Sequence, residues 1–221
     1  MQRTYVKELK SGKEALIKGW IFEIREMSKM AFILIRDMTG MVQCIIKDEK
    51  ILKNIKELTL ESVVEIKGKI KSAKIKAEFV RDDVEVEVSE LKILSKAEKL
   101  PIHVNEKAVS SELNLKLDWR TLSLRTPKSK AIFKVQAKII EGMQEYLNKN
   151  GFYQVFTPCL MGIASESGSE VFEIKYFDKK AYLRQDPQLH RQLTIFGGIE
   201  KLYDIGPSWR AENSNTIKHL C

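Results

Sequence analysis

The first hundred residues contain five segments rich in β-branched and aromatic residues, and this part of the chain has no proline. Several of these segments alternate apolar and polar residues with a period of two, which is typical of strands with one buried face. A short helix is predicted within 48–60, and Gly40 after Thr39 predicts a tight turn between the second and third strands. This order of elements predicts a five-stranded OB barrel. The predicted strands are 15–25, 32–37, 41–46, 63–70 and 84–88.

The second half of the chain follows a different pattern. From Lys128 apolar residues recur at helical spacing, and Asn150-Gly151 supplies a signal for the end of that helix. A mixed α/β region is predicted after it, with a further helix from Pro187 to Phe196 and strands at 152–156, 171–176, 181–184 and 201–205. The apolar positions of the first helix are Ile132, Val135, Ile139, Met143 and Leu147. We therefore predict a barrel domain at 1–97, a connector at 98–127 and an α/β domain at 128–221.

The composition of the chain is typical of a globular protein and favours a polyanionic partner. With 43% hydrophobic and 31% charged residues, the chain has the composition of a soluble globular protein. It has neither a membrane-spanning apolar run nor an N-terminal secretory signal. Its three cysteines, Cys44, Cys159 and Cys221, lie far apart without zinc-site spacing, so we expect ordinary thiols and a cytoplasmic location. The net charge of +8 favours a polyanionic partner such as nucleic acid.

Arg210 and Glu212 are the first candidate ligand-binding residues in the sequence. If 201–212 continues as a strand and turn, residues two apart share one face. A guanidinium binds two phosphate oxygens, and a carboxylate beside it can accept a hydrogen bond from an exocyclic amine. Lys218 and His219 could contact further phosphate across a hairpin turn. The alternative is a surface ion pair, and spacing alone favours that alternative.

Several longer motifs occur in a fixed order. They are LeuAspTrpArgThrLeuSerLeuArgThrPro at 117–127, Pro158 after a helix and a strand, SerGluSerGlySerGluValPhe at 165–172, ArgGlnAspProGlnLeuHisArgGln at 184–192 and IleGlyProSerTrpArgAlaGlu at 205–212. Together with the barrel, which opens on a Gly19-Trp20 strand, they resemble the class II aminoacyl-tRNA synthetases. The resemblance is greatest to aspartyl-tRNA synthetases of the archaeal and eukaryotic type. Pro158 matches motif 1, and 205–212 with the following Lys218-His219 matches motif 2.

The resemblance implies roles for individual residues. Arg210, the implied catalytic residue, corresponds to the arginine that holds the ATP α-phosphate and the amino-acid carboxylate. The implied ATP-binding residues are Arg210, Ala211, Glu212 near the adenine amine, and Lys218, His219 and Leu220 at the far phosphates. The implied aspartate-binding residues are Glu166, Gln188, Arg191 and Arg210, and the implied anticodon readers are Arg25, Phe32 and Gln43.

The resemblance also implies a fold and an activity. The expected fold is a β-barrel plus α/β (α+β), with an OB-fold followed by the first part of a class II antiparallel-sheet catalytic domain. The expected activity is ATP- and Mg²⁺-dependent activation of L-aspartate and its transfer to tRNA(Asp), with tRNA(Asn) as a further candidate. A homodimer through motif 1 and no membrane association are expected. Motif 3 is absent and metal ligands are expected beyond residue 221, so we expect this chain to be inactive alone.

Some positions depart from the family pattern. Arg191 stands where the family has a lysine, and Asp186 and His190 replace the Ser and Tyr of the same pocket element. Lys218 replaces an arginine, and Ser167 replaces a loop glycine. The retained positive charge at Arg191 favours a carboxylate substrate. The alternatives are an asparaginyl- or lysyl-tRNA synthetase and a non-catalytic tRNA-binding module.

Overall fold

The computed structural model describes residues 1–105, 110–163 and 171–211. The chain forms two compact units, Met1–Phe133 and Lys134–Cys221. The domain boundaries proposed from sequence at 97 and 127 remain predictions. None of the helices in the described ranges is long and apolar enough to cross a membrane.

The first unit contains a closed five-stranded barrel. In chain order its elements are a 3-10 turn at Val6–Glu8, β1 Glu14–Met27, β2 Met30–Arg36, β3 Met41–Ile46, α1 Glu49–Ile55, β4 Val63–Ser72 and β5 Val80–Ser95. The strand order around the barrel is β1-β2-β3-β5-β4. Only the β3–β5 pair is parallel among these neighbours. The predicted OB barrel with its helix between the third and fourth strands is confirmed, and β5 is longer than predicted.

The barrel forms because alternate residues of each strand are apolar and face one interior. The side chains of Ile17 on β1, Ile33 on β2 and Val86 on β5 are fully buried there, while the neighbours of each residue along its own strand point outward. Helix α1 adds Ile51 and Ile55 to the same core. Asp48 caps that helix by accepting hydrogen bonds from the backbone of Lys50 and Ile51, at 2.8 and 3.1 Å.

Two glycines allow the strands of the barrel to approach closely. A Cβ atom at Gly19 would lie 2.5 Å from the carbonyl oxygen of Arg36, and one at Gly68 would lie 2.3 Å from that of Glu87. Both contacts are with backbone, which cannot move aside without opening the barrel wall. Cys44 lies in the interior, and burial raises the pKa of its thiol above the ordinary value. An inert structural thiol follows at this position.

A buried charge cluster fastens the chain after the barrel to the barrel wall. Both oxygens of Glu61 accept hydrogen bonds at 2.8 Å from Arg36, whose side chain is 6% exposed. Arg125 also donates to Glu61, and its backbone carbonyl accepts from Arg36 at 3.3 Å. The Arg125 guanidinium lies 5.4 Å from the centre of the Trp20 ring. Burial lowers the pKa of Arg36 and the charge of Arg125 lowers it further, while Glu61 opposes both effects.

Helices dominate the chain that follows the barrel. They are α2 Leu113–Asp118, α3 Arg120–Ser123 and α4 Pro127–Lys149, of which only α4 was predicted. In α4, the apolar stripe that predicted the helix is largely exposed, with Ile132 at 63%, Val135 at 57% and Ile139 at 56%. An exposed row of large apolar side chains on a helix is typical of a surface that another element covers.

The second unit contains short strands and one further helix. They are β6 Tyr153–Gln154, β7 Leu160–Met161, β8 Glu173–Tyr176, β9 Lys179–Leu183, α5 Gln188–Phe196 and β10 Leu202–Tyr203. β7, β9 and β8 form an antiparallel sheet, and β10 pairs with β6 in parallel. The predicted helix at 187–196 and the strands near 171–184 are confirmed. The predicted strand at 201–205 forms only at Leu202–Tyr203, and the conditional continuation towards 212 is not observed in 204–211, because no ladder continues beyond Tyr203 in that described segment.

Removing the charge of Glu61 should destabilise the barrel strongly. We expect Glu61→Gln to lower the free energy of unfolding by about 3–5 kcal/mol, because two arginines would remain without their buried counter-ion. Urea unfolding followed by circular dichroism and by tryptophan fluorescence measures this change.

The control for that experiment is Glu65→Gln. Glu65 pairs with Lys18 at 2.7 Å, but their side chains are 25% and 39% exposed. Solvent screens such a pair, so its loss should change the free energy of unfolding far less than Glu61→Gln does. Equal losses in the two variants would contradict the role assigned to Glu61.

Candidate nucleic-acid interface and amino-acid site

The outer wall of the barrel brings the three predicted anticodon readers together. Arg25 on β1 pairs with Phe32 on β2, and Gln43 on β3 pairs with Leu34, two residues further along β2. The neighbours of Phe32 in sequence, Ala31 and Ile33, are fully buried in the interior. Phe32 therefore faces outward and is only partly buried, so it is not a core aromatic.

Two carboxylates fix the polar groups of this face. Glu23 accepts hydrogen bonds from Arg25 at 2.6 and 3.1 Å, and its hydrogen bonds and charge raise the pKa of the Arg25 guanidinium. Glu85 on β5 accepts a hydrogen bond from the Gln43 side-chain amide at 3.2 Å. The sequence analysis missed Glu85, although its place between buried Val84 and Val86 could have placed it on the outer face.

A basic loop borders the same face. Lys74 and Lys76, between β4 and β5, line an open groove of about 460 Å³ together with Arg25, Gln43 and Glu85. Ile75 and Ala77 alternate with these lysines and pack on an outer apolar cluster of the barrel. That cluster consists of Phe22, Leu34, Met41 and Val80. Because the apolar residues of the loop are anchored, the two exposed ammonium groups are held beside the groove.

Elsewhere on the barrel, Lys47, Lys67 and Lys71 are matched by carboxylates. Lys67 pairs with Glu90 at 2.7 Å, and Glu87 accepts from both Lys71 and Lys47. Those two lysines lower the pKa of Glu87 to about 2. These three lysines therefore carry compensated charge, which distinguishes them from Lys74 and Lys76 beside the groove.

In the second unit, Arg210 is exposed and lies in a segment outside any strand. This segment is attached to the end of β9 instead. The backbone N–H of Trp209 donates to the carbonyl of Arg184 at 3.0 Å, and the Ser208 hydroxyl donates to the carbonyl of Gln185. Ala211 follows Arg210 and is partly buried. Glu166, Glu212, Lys218, His219 and Leu220 lie outside the described residues.

A buried arginine, which the sequence analysis did not single out, organises this attachment. Arg184 donates to the carbonyl of Pro207 at 2.7 Å and to the carboxylate of Asp204 at 3.1 Å. The side chains of Arg184 and Asp204 are 3% and 2% exposed. Thr157 also donates to Asp204, at 2.6 Å. A Cβ atom at Gly206 would clash with the Arg184 guanidinium, so a larger residue there would have to displace it from its hydrogen bonds.

Of the three described residues predicted to bind aspartate, Gln188 and Arg191 lie on α5, and the third is Arg210. Gln188 is the first residue of this helix and is exposed, and Arg191 follows on the same face. The guanidinium of Arg191 lies 3.2 Å from the carboxylate of Asp186 and 3.9 Å from that of Asp204. Gln188 and Arg191 therefore occupy one helix face, while their substrate contacts remain predictions.

The described residues fit part of a nucleotide site. Arg210 provides an exposed cation of the type that binds phosphate. No group of three or more His, Cys, Asp or Glu side chains in the described ranges is arranged to hold a metal ion. The expected metal ligands beyond residue 221 remain a prediction.

Comparison with protein families matches both units. Residues 15–94 match the OB-fold nucleic acid binding domain, and residues 112–220 match the class II tRNA synthetases (D, K and N). Together these two matches span most of the chain. They agree with the closed barrel and with the order of elements that follows it.

Individual relatives match over nearly the whole chain. An aspartate–tRNA(Asp/Asn) ligase of Methanocorpusculum labreanum is 41% identical over 93% of this chain and 48% of its own length. An aspartate–tRNA(Asp) ligase of Picrophilus torridus is 37% identical over 99% of this chain and 51% of its own length. The chain thus spans about half the length of the curated relatives it matches.

A solved structure shows the same fold. The asparaginyl-tRNA synthetase of Pyrococcus horikoshii, in complex with asparaginyl-adenylate, superposes with a TM-score of 0.89 and 36% identity. The match covers 100% of this chain and 51% of that one. On the two domain matches, the near-complete alignments and this superposition, the chain belongs to the class II aminoacyl-tRNA synthetases of the D, K and N group.

Proposed function

We propose that the protein containing this chain is an aspartate–tRNA ligase. It would join L-aspartate to the α-phosphate of ATP with release of pyrophosphate, and then transfer the aspartyl group to tRNA(Asp). The observation that carries the proposal is the outer face of the barrel, where Arg25, Phe32 and Gln43 lie together on adjacent strands. The names of the archaeal relatives support the assignment of aspartate.

The barrel face suits single-stranded RNA. A partly exposed aromatic ring such as Phe32 can stack on an unpaired base, and the Gln43 amide can bond its edge. Lys74 and Lys76 would contact the adjacent phosphates. Because some relatives are named for both tRNA(Asp) and tRNA(Asn), we propose tRNA(Asn) as a second acceptor.

The second unit suits amino-acid activation. The substrate carboxylate is already a nucleophile, so the reaction requires alignment of the α-phosphate and stabilisation of its growing charge more than it requires a base. Arg210 would hold the α-phosphate, with Glu212, Lys218 and His219 along the rest of ATP. Mg²⁺ would neutralise the phosphates when bound, through ligands outside this chain. Gln188 and Arg191 would orient the aspartate side chain, and Glu166 its ammonium group.

We also propose that the complete protein is a cytoplasmic homodimer. The support is the exposed apolar stripe of α4, which includes Ile139 at 56% and Met143 at 51% exposure. Light scattering should give twice the mass of one chain for the complete protein. A monomer at micromolar concentration would contradict the dimer.

The proposed activity predicts a specific exchange reaction. The full-length protein should exchange labelled pyrophosphate into ATP when L-aspartate is present, and much less with L-asparagine or L-lysine. Arg210→Gln should lower kcat/KM about 10²-fold or more, because a preorganised cation at the reacting phosphate is lost. Arg81→Gln in the barrel is the control, since Arg81 contacts Asp83 and the N-terminal backbone.

Two outcomes would contradict this function. Equal exchange with asparagine would contradict the assignment of aspartate. Binding of tRNA(Asp) without any exchange by the full-length protein would support the non-catalytic module instead.

The groove beside the barrel predicts a salt dependence. Replacing both Lys74 and Lys76 with alanine should reduce the slope of log K against log salt by about 1.4 for an anticodon stem-loop of tRNA(Asp), because each phosphate contact in a single strand contributes about 0.7. Fluorescence anisotropy at several salt concentrations measures the slope. As a control, Lys10 and Lys13, which line a different groove, are replaced with alanine. This removes equal charge and should leave the slope nearly unchanged. The same slope change in both proteins would contradict the assignment.

A further inference from the structure

The side chain of Arg191 is already paired with a carboxylate of its own chain. Its terminal nitrogen lies 3.2 Å from an oxygen of Asp186, with the two side chains 38% and 39% exposed. Asp186 immediately precedes Pro187, the N-cap of α5, so its backbone position is fixed at the start of the helix that carries Arg191. The contact therefore lies at the accessible surface of the predicted amino-acid pocket.

The second carboxylate near Arg191 has other partners. Asp204 is held by Arg184 at 3.1 Å and by Thr157 at 2.6 Å, and it lies 3.9 Å from Arg191. The charges of this cluster, which consists of Arg184, Arg191, Asp186 and Asp204, sum to zero. The Arg191 Nε–H is buried and has no hydrogen-bond partner within the described ranges. Arg191 thus keeps a donor for a further acceptor, although its charge is already matched.

We propose that Asp186 competes with the side-chain carboxylate of the substrate for Arg191 and so reduces the discrimination between aspartate and asparagine. An incoming carboxylate must either displace Asp186 or share the Arg191 guanidinium with it. Sharing is unfavourable because the two carboxylates repel each other. An amide carries no charge, and its oxygen can accept from Arg191 while its NH₂ donates to Asp186. The inference rests on the proposed function, because it assigns the amino acid to this pocket. Asp186 is a specificity-determining residue in this account, and Arg191 is the group that touches the substrate.

The test compares amino-acid binding before and after the carboxylate is removed. In the full-length protein, Asp186→Asn keeps the size of the side chain and removes its charge. Calorimetric titration should give L-aspartate about two- to fivefold tighter binding, the range expected for freeing one partner of a half-exposed ion pair. L-Asparagine should bind with unchanged or weaker affinity. In exchange kinetics, the KM for aspartate should fall while the KM for ATP stays unchanged.

Two controls separate this role from a structural one. In an Arg191→Gln background, Asp186→Asn should no longer tighten aspartate binding, because the guanidinium for which they compete is gone. Asp178→Asn removes an exposed carboxylate of the same unit outside the cluster and should leave both amino-acid affinities unchanged. Circular dichroism checks the fold of each variant, and Asp186→Ser replaces Asp186→Asn if the latter does not fold.

The outcomes for the two proposals are distinct. Unchanged or weaker aspartate binding by folded Asp186→Asn would overturn the competition and would place Asp186 among the groups that bind the substrate. Tighter aspartate binding without pyrophosphate exchange by the wild type would support the competition and contradict the proposed ligase. Absence of aspartate binding in all variants would contradict both.

Discussion

The apolar interior of the closed barrel is the constraint on which the candidate RNA interface depends. Ala31, Ile33 and Ile35 must fill that interior, so the residue between the first two, Phe32, has to face outward. The same alternation places Gln43 on the outer face, because its neighbours in sequence, Val42 and Cys44, are buried in the interior. A one-residue shift of register would exchange the buried and exposed sets, so core packing fixes the recognition surface.

Each unit uses a buried arginine to fasten an irregular segment to regular structure. In the first unit, Glu61 joins Arg36 of β2 to Arg125, which comes just before α4. In the second, Arg184 joins the end of β9 to the segment that leads to Arg210. A buried guanidinium is stable only when its hydrogen-bond acceptors are in place. Loss of one partner therefore lowers the free energy of unfolding more than loss of a surface ion pair does. The Arg184 cluster therefore positions the segment that carries Arg210 through polar contacts rather than through a strand ladder.

The sequence predicted what depends on local periodicity. The five barrel strands and α5 follow from patterns within a few residues of each position, and Glu85 could have been placed by the same reasoning. The path of the segment after β10 could not be predicted from periodicity, because its partners, Arg184 and Gln185, are distant in sequence and bind it through separate backbone and side-chain hydrogen bonds. The pairing of Asp186 with Arg191 likewise depends on side-chain geometry at a helix start, which no period encodes. The motif resemblance identified the family, and the structure added that Arg191 is already paired with Asp186.

We propose that the outer face of the barrel binds an unpaired anticodon base on Phe32. The most direct measurement is the affinity of the full-length protein for an anticodon stem-loop of tRNA(Asp), for the wild type and for Phe32→Ala. Stacking predicts a loss of about 1–3 kcal/mol on removal of the ring. Phe177→Ala, at a ring 79% exposed in the second unit, is the matched control and should bind as the wild type does. Equal affinity of Phe32→Ala and the wild type would contradict the account.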